Sequence, residues 1–174
     1  MMNETASAFS IAIAAPDCAA PLLALQKLCF HEEAELNEEF DIPPLTQTLT
    51  GLREDFQTHT VLAAWQGAWL VGSVRGRREG PGCQIGRLIV HPNFRRQGLV
   101  TALMTAIEAA FPDVTLYELF ASERNMRNLR FYQRLGYAPS RKQQVTPRLT
   151  LVFLRKPRTQ PDIPPRAPPG GASW

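Results

Sequence analysis

Apolar positions along the chain change their period several times, and each change marks an element. "FSIAIAA" (9–15) is a short apolar run that ends at Pro16-Asp17, and it predicts a first strand and a turn. Leu22, Leu25 and Cys29 then fall at helical spacing and predict a helix over 20–31. In "PPLTQTLTGLREDF" (43–56), Leu45, Leu49, Leu52 and Phe56 recur at i, i+4, i+7 and i+11, the stripe of an amphipathic helix that starts on prolines. "TVLAAW" (60–65) and "AWLVGSVRG" (68–76) flank Gln66-Gly67 and predict a hairpin. "GPG" (80–82) is a loop and "CQIGRLIV" (83–90) a strand. Residues 98–111 place Leu99, Ala102, Leu103, Ala106, Ile107 and Ala110 on one stripe, which Pro112 stops. "VTLYELFA" (114–121) is the next strand, 123–135 a helix closed by Gly136, and "RLTLVFLRK" (148–156) a last strand of period two.

The order strand 83–90, helix 98–111, strand 114–121 has short connections and a helix with one broad apolar face. It predicts a βαβ unit with parallel strands. The fold class is therefore α/β, mixed with antiparallel strands from the hairpin. The N-terminus of helix 98–111 then lies at the carboxyl edge of the sheet, where such units bind ligands. The 174 residues suit one domain, assigned to 1–156. Residues 157–174 hold six of the fifteen prolines and no core pattern, which predicts a disordered tail. Two PxxP matches there, 161–164 and 165–168, are weak signals.

Composition narrows the class. With 44% apolar and 20% charged residues the chain has the balance of a soluble globular protein, and no apolar run is long enough to span a membrane. "SAFSIAIAA" lacks the basic start of a signal peptide, and the three cysteines show neither metal spacing nor an even framework. Both point to the cytoplasm. The net charge of +3 is mild, but Arg75, Arg77, Arg78, Arg87, Arg95 and Arg96 crowd one stretch. That cluster opens a second class, a basic-patch nucleic-acid binder. No set of stacking aromatics interleaves the arginines and no reader motif is present, so no nucleic acid is expected. The opposite run, "EEAELNEEFD" (32–41), reads as a solvated face or as an attractor of cationic amines.

Candidate chemistry sits in two stretches. In "VHPNFRRQGLV" (90–100) a strand passes through Arg95, Arg96 and Gly98 into a helix, which describes an anion cradle or, more plainly, a turn with solvated arginines. In "NMRNLRFYQRLGY" (125–137), Asn125, Asn128 and Tyr132 share one helical face at i, i+3 and i+7, apart from the apolar Phe131 and Leu135. Together, in this order and spacing, the two stretches resemble the coenzyme A loop and the later Asn…Tyr helix of the GNAT superfamily of N-acetyltransferases. The element order over roughly 8–156 is similar too.

The resemblance implies a central mixed sheet of six to seven strands, the fourth and fifth parallel and splayed, with four helices. It implies acetyl-CoA as co-substrate, no metal, and transfer to a primary amine by direct attack in a ternary complex. The acceptor would be a small amine, a protein N-terminus or a lysine, and a homodimer is compatible with it. Leu88, Ile89 and Val90 would offer main-chain groups to the pantetheine arm. Arg95, Arg96, Gln97, Gly98, Leu99, Val100 and Thr101 would wrap the pyrophosphate. Asn125 and Asn128 would contact the cofactor, and Tyr132 would protonate the departing thiolate. "ELFAS" is similar to the base-bearing segment of the ribosomal-protein alanine acetyltransferases and makes Glu118 the candidate base. A structural ion pair is its plainer role. Gln47 and Thr48 are acceptor-side candidates and His91 a structural residue. No cysteine has a sequence partner that would activate it. Val100 stands where the family carries Gly or Ala, and Asn128 where it carries Ala. These departures keep a non-catalytic coenzyme A-binding module as the alternative.

Overall fold

The computed structural model describes residues 9–159. Among them, seven strands form one sheet: β1 (Phe9–Ile13), β2 (Thr60–Gln66), β3 (Trp69–Glu79), β4 (Gly82–Val90), β5 (Leu116–Ser122), β6 (Ala138–Gln144) and β7 (Thr150–Pro157). Their order is β1-β2-β3-β4-β5-β7-β6, and only β4 and β5 run parallel. Helices α1 (Ala19–Asn37), α2 (Pro43–Thr46) and α3 (Leu49–Thr58) precede β2; α4 (Leu99–Ala109) and α5 (Met126–Arg134) flank β5. Two cores result. Leu99, Leu103, Met104 and Ile107 of α4 bury against Val74, Ile85 and Leu119 on one face of the sheet. Leu22 and Leu25 of α1 and Leu52 of α3 bury against Val61 and Ile89 on the other. No helix among the described residues is long and apolar enough to cross a membrane.

The mixed α/β class, the parallel β4–β5 pair and the hairpin at Gln66-Gly67 agree with the sequence pattern. Four differences have physical causes. The helix expected over 20–31 runs on to Asn37, because Ala34 and Asn37 are buried and the chain leaves the helix only at Glu38, in the left-handed region. The helix expected over 43–56 breaks into α2 and α3, giving five helices rather than four. Gln47 is extended there, and the Thr48 side chain accepts a hydrogen bond from the Gly51 N–H to start α3 afresh. The leucine spacing runs straight across this break and conceals it. Strand β6 has no counterpart in the apolar pattern: "APSRKQQ" is exposed throughout and pairs only with β7, as a polar edge strand can. Finally, β7 ends at Pro157, one residue past the strand expected over 148–156, and the Arg158 N–H donates to the Thr115 carbonyl. Most of the proposed tail, with both PxxP matches, lies outside the described residues.

The parallel pair is short. It holds only at Gly82↔Leu116, Cys83↔Tyr117 and Gln84↔Glu118. Beyond that point β4 bulges: its register against β3 slips between Ser73 and Arg75, and Arg87 has φ +51°. The strands part, and the end of β4 faces a cleft.

Candidate active site

The cleft has a volume of about 410 Å³ and lies where β4 leaves β5. Leu88, Ile89 and Val90 form one wall, the start of α4 and the loop before it a second, α5 a third, and the later half of α1 the fourth.

Local sequence explains the second wall. His91 Nδ1 accepts from the Asn93 N–H and starts a single 3-10 turn, Pro92–Phe94, while its ring packs edge-on against Phe94. His91 is thus a structural residue. Arg96 and Gly98 then take positive φ, +61° and +77°, and α4 begins with Gly98 as its N-cap. No side chain caps this end, so its first N–H groups face outward with the positive end of the helix dipole. A Cβ at Gly98 would meet nothing within 4 Å, which leaves the approach to those groups open. The donors, the guanidinium groups of Arg95 and Arg96 and the open approach fit a phosphate-bearing ligand. Arg95 spans the cleft mouth, and its Nη1 donates to both carboxylate oxygens of Glu32, at 2.9 and 3.1 Å.

Asn125 caps α5. Its Oδ1 accepts from the Asn128 N–H at 3.1 Å, and its Nδ2 donates to Glu33 Oε2 at 2.7 Å. Asn37 Nδ2 donates to the Glu33 carbonyl, and Ser122 Oγ donates to Asn37 Oδ1. This chain of polar groups ties α1 to the end of β5 and to the Asn125 helix. Tyr132 lies one turn deeper, 8% exposed, with its ring edge-on to Phe131. Burial, and then the Glu33 carboxylate, raise its pKa, so the phenol keeps its proton. Cys29 also lines the cleft. Burial pushes its thiol up to about 11, and its S–H faces the Val90 carbonyl at 3.5 Å, so it is no ready nucleophile.

Of the expected site residues, Leu88, Ile89, Val90, Arg95, Arg96, Val100, Asn125, Asn128 and Tyr132 line the cleft together. Gln97, Gly98 and Thr101 are exposed on the loop and first turn, and Leu99 is buried in the core at 2% exposure. Val100 packs partly on the core and also faces the cleft. Glu118 lies elsewhere. It sits at the last β4–β5 pair, and its Oε2 accepts from Arg155 Nε at 2.5 Å. Gln47 and Thr48 are engaged in structure: Gln47 donates to Asp55 and Thr48 caps α3. The sequence reading missed Cys29, Phe30, Glu33 and Arg127. Glu33 stood in the acidic run beside Glu32, which also lines the cleft, but nothing in that run separates the two from Glu35; only the pitch of α1 does. The arginine run forms no single-signed surface, since Arg75, Arg78 and Arg95 pair with Asp55, Asp113 and Glu32. Among the described residues no group of three His, Cys, Asp or Glu side chains could hold a metal.

A mixed sheet with one splayed parallel pair opens here on an uncapped helix start, an arrangement that suits a phosphate-bearing ligand laid along a strand edge. Comparison with known proteins makes the class specific. The profile of the Acetyltransferase (GNAT) family matches residues 22–137, and the chain belongs to that family of acetyltransferases. No curated protein sequence matches it. The fold is similar to that of the ribosomal-protein-S18-alanine N-acetyltransferase from Escherichia coli, with a TM-score of 0.71 and 12% identity over 90% of this chain and 97% of that one. It is similar to PaiA N-acetyltransferase from Thermoplasma acidophilum, solved in complex with coenzyme A, with a TM-score of 0.72 and 11% identity over 86% and 99%. It is also similar to YncA from Salmonella typhimurium, solved with its cofactor acetyl-CoA, with a TM-score of 0.67 and 15% identity over 92% and 99%.

Proposed function

We propose that this chain is an N-acetyltransferase that uses acetyl-CoA and acetylates a primary amine by direct transfer within a ternary complex. The observation that carries the reading is the joint lining of one cleft by an uncapped helix N-terminus, a free strand edge and a buried, protonated tyrosine. Acetyl-CoA would supply an activated acetyl thioester. The N–H groups at the start of α4, with Arg95 and Arg96, would hold its pyrophosphate. The main chain of Leu88, Ile89 and Val90 would orient the arm, which removes much of the entropic cost of bringing thioester and amine together. Tyr132 would donate its phenolic proton to the leaving sulfur, a role suited to a hydroxyl that burial keeps protonated. Glu118 remains the proposed base, drawing a proton from the incoming ammonium through water on the α1 side of the strands. Arg95 would exchange Glu32 for phosphate on binding. Three unpaired cysteines suit a reducing compartment, and the cytoplasm is the proposed location.

The test is calorimetric titration with acetyl-CoA, followed by thiol release over a panel of amines. Binding in the micromolar range together with amine-dependent release supports the reading. Binding without release from any amine would favour the non-catalytic coenzyme A module.

A further inference from the structure

Arg87 is poorly provided for where it stands. Its Nε is buried and finds no hydrogen-bond partner among the described residues. It joins no ion pair among them, while Arg75, Arg78, Arg95 and Arg155 each hold a carboxylate. Asp55 is close enough to be felt, but its carboxylate is already engaged by Arg75 and by Gln47 Nε2. Burial and the like charge of Arg75 push Arg87 down to about 10, so it is still a cation at neutral pH. A half-dry cation without a counter-charge is unfavourable. So is its backbone, at φ +51° for a long side chain. Two costs fall on one residue, immediately before the strand edge that lines the cleft.

Its position gives those costs a use. The guanidinium carbon lies 5.7 Å from the centre of the Phe30 ring, so the side chain points to the α1 side of the sheet, opposite α4. Glu118 points the same way, because Tyr117 and Leu119 on either side of it enter the core under α4. A Cβ at Gly86 would meet nothing within 4 Å, so space lies open beside the bulge. On that side α1 covers only the end of β5, at Ser122; Phe120, two residues past Glu118, is 43% exposed. A molecule that approaches the parting strands from the α1 side therefore meets a cation on β4 and an anion on β5.

We propose that Arg87 recognises the acceptor by binding a carboxylate carried on the amine substrate, so that the preferred acceptors are amino carboxylates rather than simple amines. This rests on the acetyltransferase reading above. An unpaired guanidinium in a partly dry site is the natural partner of a carboxylate, and the analogue that leaves it unpaired is rejected. The arrangement also sorts charges: the ammonium end of the acceptor faces Glu118 and the carboxylate end faces Arg87.

The experiment uses the full chain with acetyl-CoA and measures thiol release on the standard L-amino acids, β-alanine and γ-aminobutyrate, each against its primary amide. The acids should exceed their amides in kcat/KM by at least about tenfold. In Arg87→Gln that preference should fall to within about threefold while KM for acetyl-CoA stays within twofold; Arg87→Lys should keep part of it. The acid–amide comparison on the unaltered chain decides the matter if Arg87→Gln does not fold. Amides used as well as acids, a preference that survives in Arg87→Gln, or turnover of simple amines but of no amino carboxylate would each overturn the proposal and leave the acetyltransferase reading standing. Failure to bind acetyl-CoA at all would overturn that reading, and this proposal with it.

Discussion

At the scale of single residues, the site depends on which side chains burial has made unreactive and which it has made useful. Tyr132 and Cys29 share the cleft, and burial keeps both protonated. For the cysteine this removes a nucleophile; for the tyrosine it preserves a proton donor. Tyr132→Phe should lower kcat by roughly ten- to a thousand-fold, the range for a lost general acid. Acetyl-CoA affinity should change by no more than a few-fold, as calorimetry would show. An unaltered kcat, with chemistry demonstrated to be rate-limiting, would remove the phenol from the mechanism. Glu118→Gln tests the other proton. If Glu118 is the base, the rise of kcat/KM with pH on the acidic side should flatten in the variant. If that rise survives with the same midpoint, Glu118 is only the partner of Arg155. Stability should change little in either case, because Arg155 is half exposed and the pair is partly solvated.

At the scale of elements, the decisive piece is the passage from β4 into α4. It needs a bulge at Arg87, a turn capped by His91 and a left-handed residue at Gly98 before the helix can present its N–H groups. Gly98→Ala should cost about 1 kcal/mol, since a Cβ is disfavoured at positive φ even where nothing crowds it. The same substitution narrows the approach to the cradle, so acetyl-CoA affinity should fall with it. Val100→Ala should separate these two effects. Val100 is only partly buried, so about 1 kcal/mol of stability should be lost while acetyl-CoA binds within a few-fold of the original. Chemical denaturation and calorimetry on both variants would show whether the affinity change belongs to the glycine alone. A marked gain in affinity in Val100→Ala would mean that the valine methyls crowd the phosphate.

At the scale of the whole molecule, the sheet divides the labour. The α4–α5 side closes the larger core; the α1–α3 side covers β2 to β4, reaches β5 only at its end through Asn37 and Ser122, and adds a wall to the proposed donor site. Several tyrosines are buried in the larger core, and burial raises the pKa of Tyr117, Tyr132 and Tyr137. Unfolded tyrosines lose their protons near pH 10, the folded ones only above that. Between those values the folded chain holds more protons than the unfolded one, so stability must fall as pH rises. It should be level below pH ~9 and drop steeply above ~10. Tyrosinate absorbance should appear together with the loss of helical signal, not before it. Ionisation that precedes unfolding would show that these phenols reach solvent in the folded chain.

Local periodicity was enough to place β1 to β5, β7, α4 and α5, because each buries one face against a core and so carries a period of 3.6 or 2. It also brought Arg95, Arg96, Asn125, Asn128 and Tyr132 into view, since their spacing is local to one loop and one helix. Tertiary structure alone decided the rest. Edge strand β6 buries nothing, so no apolar pattern announces it. The break at Gln47 turns on a side-chain cap beneath an unbroken leucine stripe. Glu33 enters the cleft and Glu35 does not because α1 runs on past its apolar stripe to Asn37, where Ala34 and Asn37 find partners far away in the chain. The lone Arg87 looks like its neighbours in a basic run. Only folding shows that Arg75, Arg78 and Arg95 acquired carboxylates and that it did not, because those partners lie on α3, in the turn before β5 and on α1, at distances along the chain that no short window spans.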